Sequence, residues 1–197
     1  MHVLDLFRLD QKLAVVTGAA QGLGKAMAEA MADCGANIAI LDLNVDEAVE
    51  TAKYIESKYN VKARAFQVNV ADADACHEVV EKICKEWQHI DVLLNNAGIC
   101  INEDAENVPL ENWHKVIDIN MNGVWYMSQA VGKIMIKQNH GNIINISSMS
   151  GFIVNDPQGQ VSYNTSKAGV AHMTKSLAAE WVKYGIRVNS IAPGYMD

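Results

Sequence analysis

Lys12-Leu13-Ala14-Val15-Val16-Thr17-Gly18-Ala19-Ala20-Gln21-Gly22-Leu23-Gly24 joins a short apolar run to a glycine-rich turn, and a helical stretch follows from Leu23 to Cys34. The run is short enough for a buried strand and is stopped by glycine, as a strand-to-helix corner requires. The same alternation continues outward. Asn37–Leu41, Ala63–Val68, Ile90–Leu94, Asn142–Ile146 and Ile186–Ile191 read as further strands. Helical patterns separate them over Val45–Lys58, Ala73–Trp87, Glu111–Gln138 and a last stretch that bears Tyr163 and runs to about Tyr184. Apolar strands separated by helices predict a parallel sheet covered on both faces, the doubly wound α/β (Rossmann-type) architecture with right-handed crossovers. No repeat, linker or low-complexity tract divides residues 1–197, so one domain is expected.

The glycine turn is the first place where this fold suggests chemistry. Gly18, Gly22 and Gly24 let main-chain N–H groups come close to a ligand, and the next helix aims its N-terminus at the same point. That end of the helix dipole favours an anion, and a pyrophosphate is the natural occupant. Asp42 closes the second strand, at the position from which such folds offer a carboxylate to the adenosine ribose. Its charge would repel a 2′-phosphate; Leu43 follows it, and Gln21 within the turn brings no cation. NAD rather than NADP is the expected cofactor. Asp42 can equally cap the helix that starts near Val45, and the two roles are compatible.

Tyr163 and Lys167 are one helical turn apart, and Ser147-Ser148-Met149-Ser150 lies before them. Positions i and i+4 share a helix face, so a phenol and an ammonium can meet there. A cation about 4 Å away at an effective dielectric near 20 favours a phenolate by about 4 kcal/mol. Such a shift makes a phenol usable as a general base near neutral pH. The spacing alone also describes many solvated helix faces. Its company along the chain raises its weight.

Half of the residues are hydrophobic and a fifth are charged, the balance of a globular protein, with a net charge of −7. No basic run or stripe is present to attract nucleic acid or an anionic membrane. Met1-His2-Val3-Leu4-Asp5 does not open a secretory signal, and no apolar run is long enough to span a bilayer. The four cysteines and six histidines are dispersed, without a zinc-ligand spacing, so no metal is expected. Unpaired thiols suit a reducing, cytoplasmic location.

The sequence resembles the short-chain dehydrogenase/reductase family from Lys12 to Asp197, and within it the polyol dehydrogenase and ketose reductase branch. The marks are Thr17-Gly18-x-x-x-Gly22-x-Gly24, Asn95-Asn96-Ala97-Gly98, Asn120, Ser148, Tyr163-x-x-x-Lys167 and Pro193-Gly194. The resemblance implies Tyr163 as general acid/base, Ser148 as a hydrogen-bond partner of the substrate oxygen, and Lys167 as the group that tunes the tyrosine and holds the nicotinamide ribose. Asn120 would orient a proton-relaying water. Gly18, Gln21, Gly22, Leu23, Gly24, Asp42 and Leu43 would hold the pyrophosphate and adenosine ribose, and Asn69 and Val70 the adenine, with asparagine where the family commonly has aspartate. Asn96, Ala97 and Gly98 would shape the turn beneath, while Pro193, Gly194 and Met196 would meet the nicotinamide. Ser147 rivals Ser148; the strand-end pattern favours Ser148.

For the substrate, Ser150 and Asn155 in the loop before Tyr163 are small polar groups able to bond several hydroxyls, alongside Ser148 and Tyr163. A secondary alcohol and its ketone are implied, with sugar alcohols such as xylitol, arabinitol, sorbitol or galactitol as candidates. The alternatives are a 3-oxoacyl thioester reductase, which Asp42 disfavours, and a non-catalytic dinucleotide-binding protein. Ala168, Gly169, Ala171, Ala178 and Ala179 permit close packing of the Tyr163 helix, in a homodimer or homotetramer or against the sheet. The family continues past this point through a substrate lid and a seventh strand, so a further C-terminal segment is expected after Asp197, beside an otherwise uncovered sixth strand.

Overall fold

Leu13–Thr17 forms a strand, β1, buried along its whole length, as a continuous apolar run in a two-sided sheet must be. The computed structural model describes residues 3–196; Met1 and His2, which enter the reading of the N-terminus, and Asp197, where the resemblance ends, lie outside the described residues. The other strands are β2 (Asn37–Asp42), β3 (Ala63–Gln67), β4 (Val92–Asn95), β5 (Gly141–Ile146) and β6 (Ile186–Ile191). They pair in parallel in the order β3-β2-β1-β4-β5-β6. The chain therefore builds outward from β1 on one side and from β4 on the other. The gap between the crossovers at β1 and β4 is where such sheets bind ligands.

Helices α1 (Gly22–Asp33) and α2 (Val45–Tyr59) supply Ala28, Ala32, Ala48, Ala52 and Ile55 to one core layer. Helices α3 (Ala73–Trp87), α5 (Gly123–Gln138) and α6 (Val161–Trp181) supply Val80, Ile83, Met127, Met135 and Leu177 to the other. Helices on both faces are the doubly wound fold. At the edge, β6 alternates buried Ile186 and Val188 with exposed Arg187 and Asn189. Among the described residues no helix is long and apolar enough to cross a membrane.

Two elements differ from expectation. The helix read as continuous over 111–138 is α4 (Leu110–Ile117), a π-turn over Asp118–Asn122, and α5. A π-turn carries an extra residue and often marks a functional position; here it carries Asn120, fully buried. Strand β4 begins at Val92 rather than Ile90. The Ile90 N–H and carbonyl are both taken by the Gln138 side chain, at 3.0 and 2.9 Å, so that residue serves α5 instead of the ladder.

Candidate active site

Helices α2 and α3 each begin at a side chain that accepts from their first turn, Asn44 from Glu47 N–H and Asp72 from Ala75 N–H. Helix α1 does not: Gln21 precedes it in extended geometry with no side-chain cap. The first N–H groups of α1 are thus left for another acceptor. They open on a cleft of about 640 Å³ at the carboxyl ends of the central strands.

The glycine turn is held in place from β4. Thr17 Oγ1 accepts from the N–H groups of Asn96 and Ala97, at 3.0 and 3.1 Å. Asn96 Nδ2 donates to the carbonyls of Thr17 and Gly18. Gly24 packs so tightly beneath that a Cβ would lie 2.1 Å from the Gly18 carbonyl oxygen. Gly22, at φ +58°, has nothing within 4 Å of a Cβ position: its bare side faces open space.

Asp42 stands on the same cleft. Its Oδ2 accepts from Ala20 N–H at 3.0 Å and its Oδ1 from Asn44 N–H at 3.1 Å. Each oxygen keeps capacity for a second donor, as ribose hydroxyls would supply. An uncapped helix start and a carboxylate along one cleft, with an open glycine beside it, fit a dinucleotide.

The far wall holds Ser148, Tyr163 and Lys167, with Pro193 and Gly194 from the segment after β6. Lys167 is 4% exposed. Its Nζ donates to the Ile146 carbonyl at 2.7 Å and lies 5.6 Å from the centre of the Tyr163 ring. Burial pulls the ammonium pKa down from 10.5 to about 8, with the Cys100 thiolate form acting in the opposite direction. The two serines separate clearly. Ser147 Oγ donates to the Lys167 carbonyl at 2.8 Å and so fastens α6 to β5. Ser148 Oγ accepts from Ser150 N–H at 3.1 Å, which leaves its own proton to give.

Asn120 sits one layer behind. Its Oδ1 accepts from Ile99 N–H and its Nδ2 donates to the Ile99 carbonyl, both at 2.8 Å, and also to Ser166 Oγ. A Cβ on Gly98 would lie 3.2 Å from Asn120 Oδ1 and 3.5 Å from Lys167 Nζ, so both groups flank that glycine.

Gly18, Gln21, Leu23, Asp42, Leu43, Asn69, Val70, Asn96, Ala97, Gly98, Ser148, Tyr163, Lys167, Pro193 and Gly194 therefore line one cleft. Gly22, Gly24, Asn120 and Met196 stand off it. Asn69 Oδ1 already accepts from Ala71 N–H. Ser150 and Asn155 are not on the wall either: Asn155 Nδ2 donates to Ser150 Oγ at 3.0 Å, so the two satisfy each other. Leu41, Val68, Ile99, Cys100, Ile119 and Ile146 line the cleft without having been singled out. They adjoin motif residues at strand ends or in the π-turn, and adjacency was the only signal they carried.

A model of the short chain dehydrogenase family matches residues 12–197. The chain belongs to the short chain dehydrogenase family. A sorbose reductase of Candida albicans is 45% identical over 197 residues, covering 99% of this chain and 70% of that enzyme. An NADH-dependent L-xylulose reductase of Ambrosiozyma monospora is 40% identical, covering 98% and 75%. An NADP-dependent mannitol dehydrogenase of Hypocrea jecorina is 38% identical, covering 100% and 74%, so both cofactors occur among the relatives. A crystal structure of a short-chain type dehydrogenase/reductase from Mycobacterium marinum superposes with a TM-score of 0.96 at 39% identity, covering 99% of this chain and 79% of that one. Family membership makes the chain an oxidoreductase of alcohols and ketones that uses a nicotinamide dinucleotide.

Proposed function

We propose that this short chain dehydrogenase interconverts a sugar alcohol and a ketose with NAD. The reading is carried by one arrangement: Ser148, Tyr163 and Lys167 on one wall of a cleft whose other end holds Asp42 beside the glycine turn. The names of its relatives, which reduce sorbose and xylulose, support the substrate class.

In oxidation, Tyr163 as phenolate takes the hydroxyl proton while Ser148 Oγ donates a hydrogen bond to the same oxygen, stabilising the charge that develops there. Bound NAD supplies the acceptor for the carbinol hydride. In reduction Tyr163 returns its proton to the ketone oxygen. Lys167 holds positive charge against the phenolate, and Pro193 and Gly194 line the same cleft. Asp42 receives the ribose hydroxyls and opposes a 2′-phosphate.

Two experiments test the reading. A spectrophotometric screen of xylitol, arabinitol, sorbitol and galactitol with NAD should yield turnover; none with any of them would reject the substrate class. In parallel, NADH should be preferred over NADPH, and Asp42→Ser should narrow that preference about tenfold or more by removing the repulsion. A native preference for NADPH would reject the cofactor assignment. The native protein is expected to be a homodimer or homotetramer in the cytoplasm. Ala168 and Ala179 on α6 are exposed and available for a subunit contact, whereas Gly169, Ala171 and Ala178 turn inward. Light scattering checks the oligomer.

A further inference from the structure

Tyr163 lies in the first turn of α6, the part of a helix with least intrahelical support. The residue before this helix, Gln160, gives no side-chain cap. The turn closes through Asn164 N–H donating to the Gln160 carbonyl at 2.8 Å, and Ser166 Oγ donates to the Tyr163 carbonyl at 2.7 Å one turn further on. Ser166 holds the turn from its C-terminal side, so whatever fixes Gln160 fixes it from its open end.

That role falls to a second loop. Glu103, in the connection between β4 and α4, forms an isolated parallel bridge with Gln160. Glu103 N–H donates to the Gly159 carbonyl at 2.8 Å. Gln160 Nε2 donates to Asn102 Oδ1 at 2.9 Å, and Asn112 Nδ2, on α4, donates to Glu103 Oε1 at 2.9 Å. The backbones approach so closely that a Cβ on Gly159 would lie 2.5 Å from the Glu103 carbonyl oxygen. On the cleft side, Cys100 Sγ donates to the same Asn102 Oδ1 at 3.3 Å.

We propose that the bridge between Asn102-Glu103 and Gly159-Gln160 is a positioning device for Tyr163, holding the start of α6 at the distance from the cleft floor that proton transfer needs. Asn102, Gly159 and Gln160 are positioning residues: none of them lines the cleft, and they act through the helix start. The inference rests on the oxidoreductase reading for its kinetic consequence, though not for its structural one. A misplacement of about 1 Å in a reacting group can cost about 100-fold in rate.

Gly159→Ala and Asn102→Ala test it by separate routes, one forcing the loops apart and the other removing the acceptor for Gln160. Expected are a fall in kcat of about tenfold or more in each, an unchanged nucleotide Kd, and faster amide exchange at residues 161–164 with the rest of α6 unchanged. Asn102→Asp, which keeps an acceptor oxygen, should restore at least half of the native kcat. Native kcat together with native exchange at 161–164 in the alanine variants would overturn the proposal, as would an equal loss in Asn102→Asp. Should Gly159→Ala fail to fold, Asn102→Ala and its aspartate rescue decide alone. If the native protein turned over no alcohol with either cofactor, the function would fall, and the exchange pattern by itself would judge the bridge.

Discussion

Tyr163 and Lys167 share one face of α6 yet live in different surroundings: the phenol is half-buried on the cleft wall, while the ammonium is 4% exposed beneath it. Replacing Tyr163 by Phe removes the proton carrier and little else. The kcat should fall at least about 100-fold, with nucleotide Kd unchanged in a fluorescence titration. Lys167 carries a stability signature as well. Burial holds its pKa at about 8 against 10.5. Between those values the unfolded chain binds the proton that the folded chain has released, so this group's contribution to stability rises with pH across that window. Below it, the charged, buried lysine costs about 3 kcal/mol. Lys167→Met should therefore be the more stable protein at pH 7, and its advantage should shrink by about 3 kcal/mol by pH 10.5. Urea unfolding of both proteins at the two pH values reads this directly.

At the scale of elements, the turn from β1 into α1 shows two glycines with different duties. Gly24 is a packing point, where a Cβ would strike the Gly18 carbonyl and Asn96 Nδ2. Gly22 is a conformational point, at positive φ with an open side. Gly24→Ala should cost about 1–3 kcal/mol by overpacking and weaken nucleotide binding, because the displaced atoms form the turn itself. Gly22→Ala should cost about 1 kcal/mol in backbone strain, with binding weakened only as far as its new methyl meets the ligand. Urea unfolding with nucleotide titration separates the two. The same scale explains Asn120. Nothing in Asp118-Ile119-Asn120-Met121-Asn122 interrupts a helical pattern, so it reads as one helix with its neighbours. The π-turn follows from three-dimensional demands: Asn120 bonds Ile99 in both directions, and Gly123 comes within 3.0 Å of Val70, measured from its Cβ position.

Across the whole molecule, the chemistry gathers at the carboxyl ends of the strands, while the opposite ends are tied together by Asp91. This carboxylate is 5% exposed and accepts from Leu13 N–H at 2.9 Å and from Lys12 Nζ at 3.0 Å, with His89 and His140 each at 3.3 Å. Burial by itself raises its pKa, but the Leu13 N–H and Lys12 outweigh it and hold the group below 3.8. Its stabilisation is therefore present above 3.8 and lost as pH falls through the lower folded value. Asp91→Ala should cost about 2 kcal/mol near neutral pH, flatten the acid limb of the stability curve, and leave kcat unchanged. Thermal unfolding across that limb checks it. The alternation of strands and helices, the glycine turn, Asp42 and the Tyr163-Lys167 pair were all legible in the chain, because each is a local demand: a period, a backbone angle, a spacing along one helix. Folding alone decided that Ser147 is spent on the Lys167 carbonyl, that Ser150 and Asn155 bond each other, and that Ile99, Cys100 and Ile119 complete the cleft. Those outcomes depend on which hydrogen-bond partners and walls arrive from elements distant in the chain, a competition that no local pattern encodes.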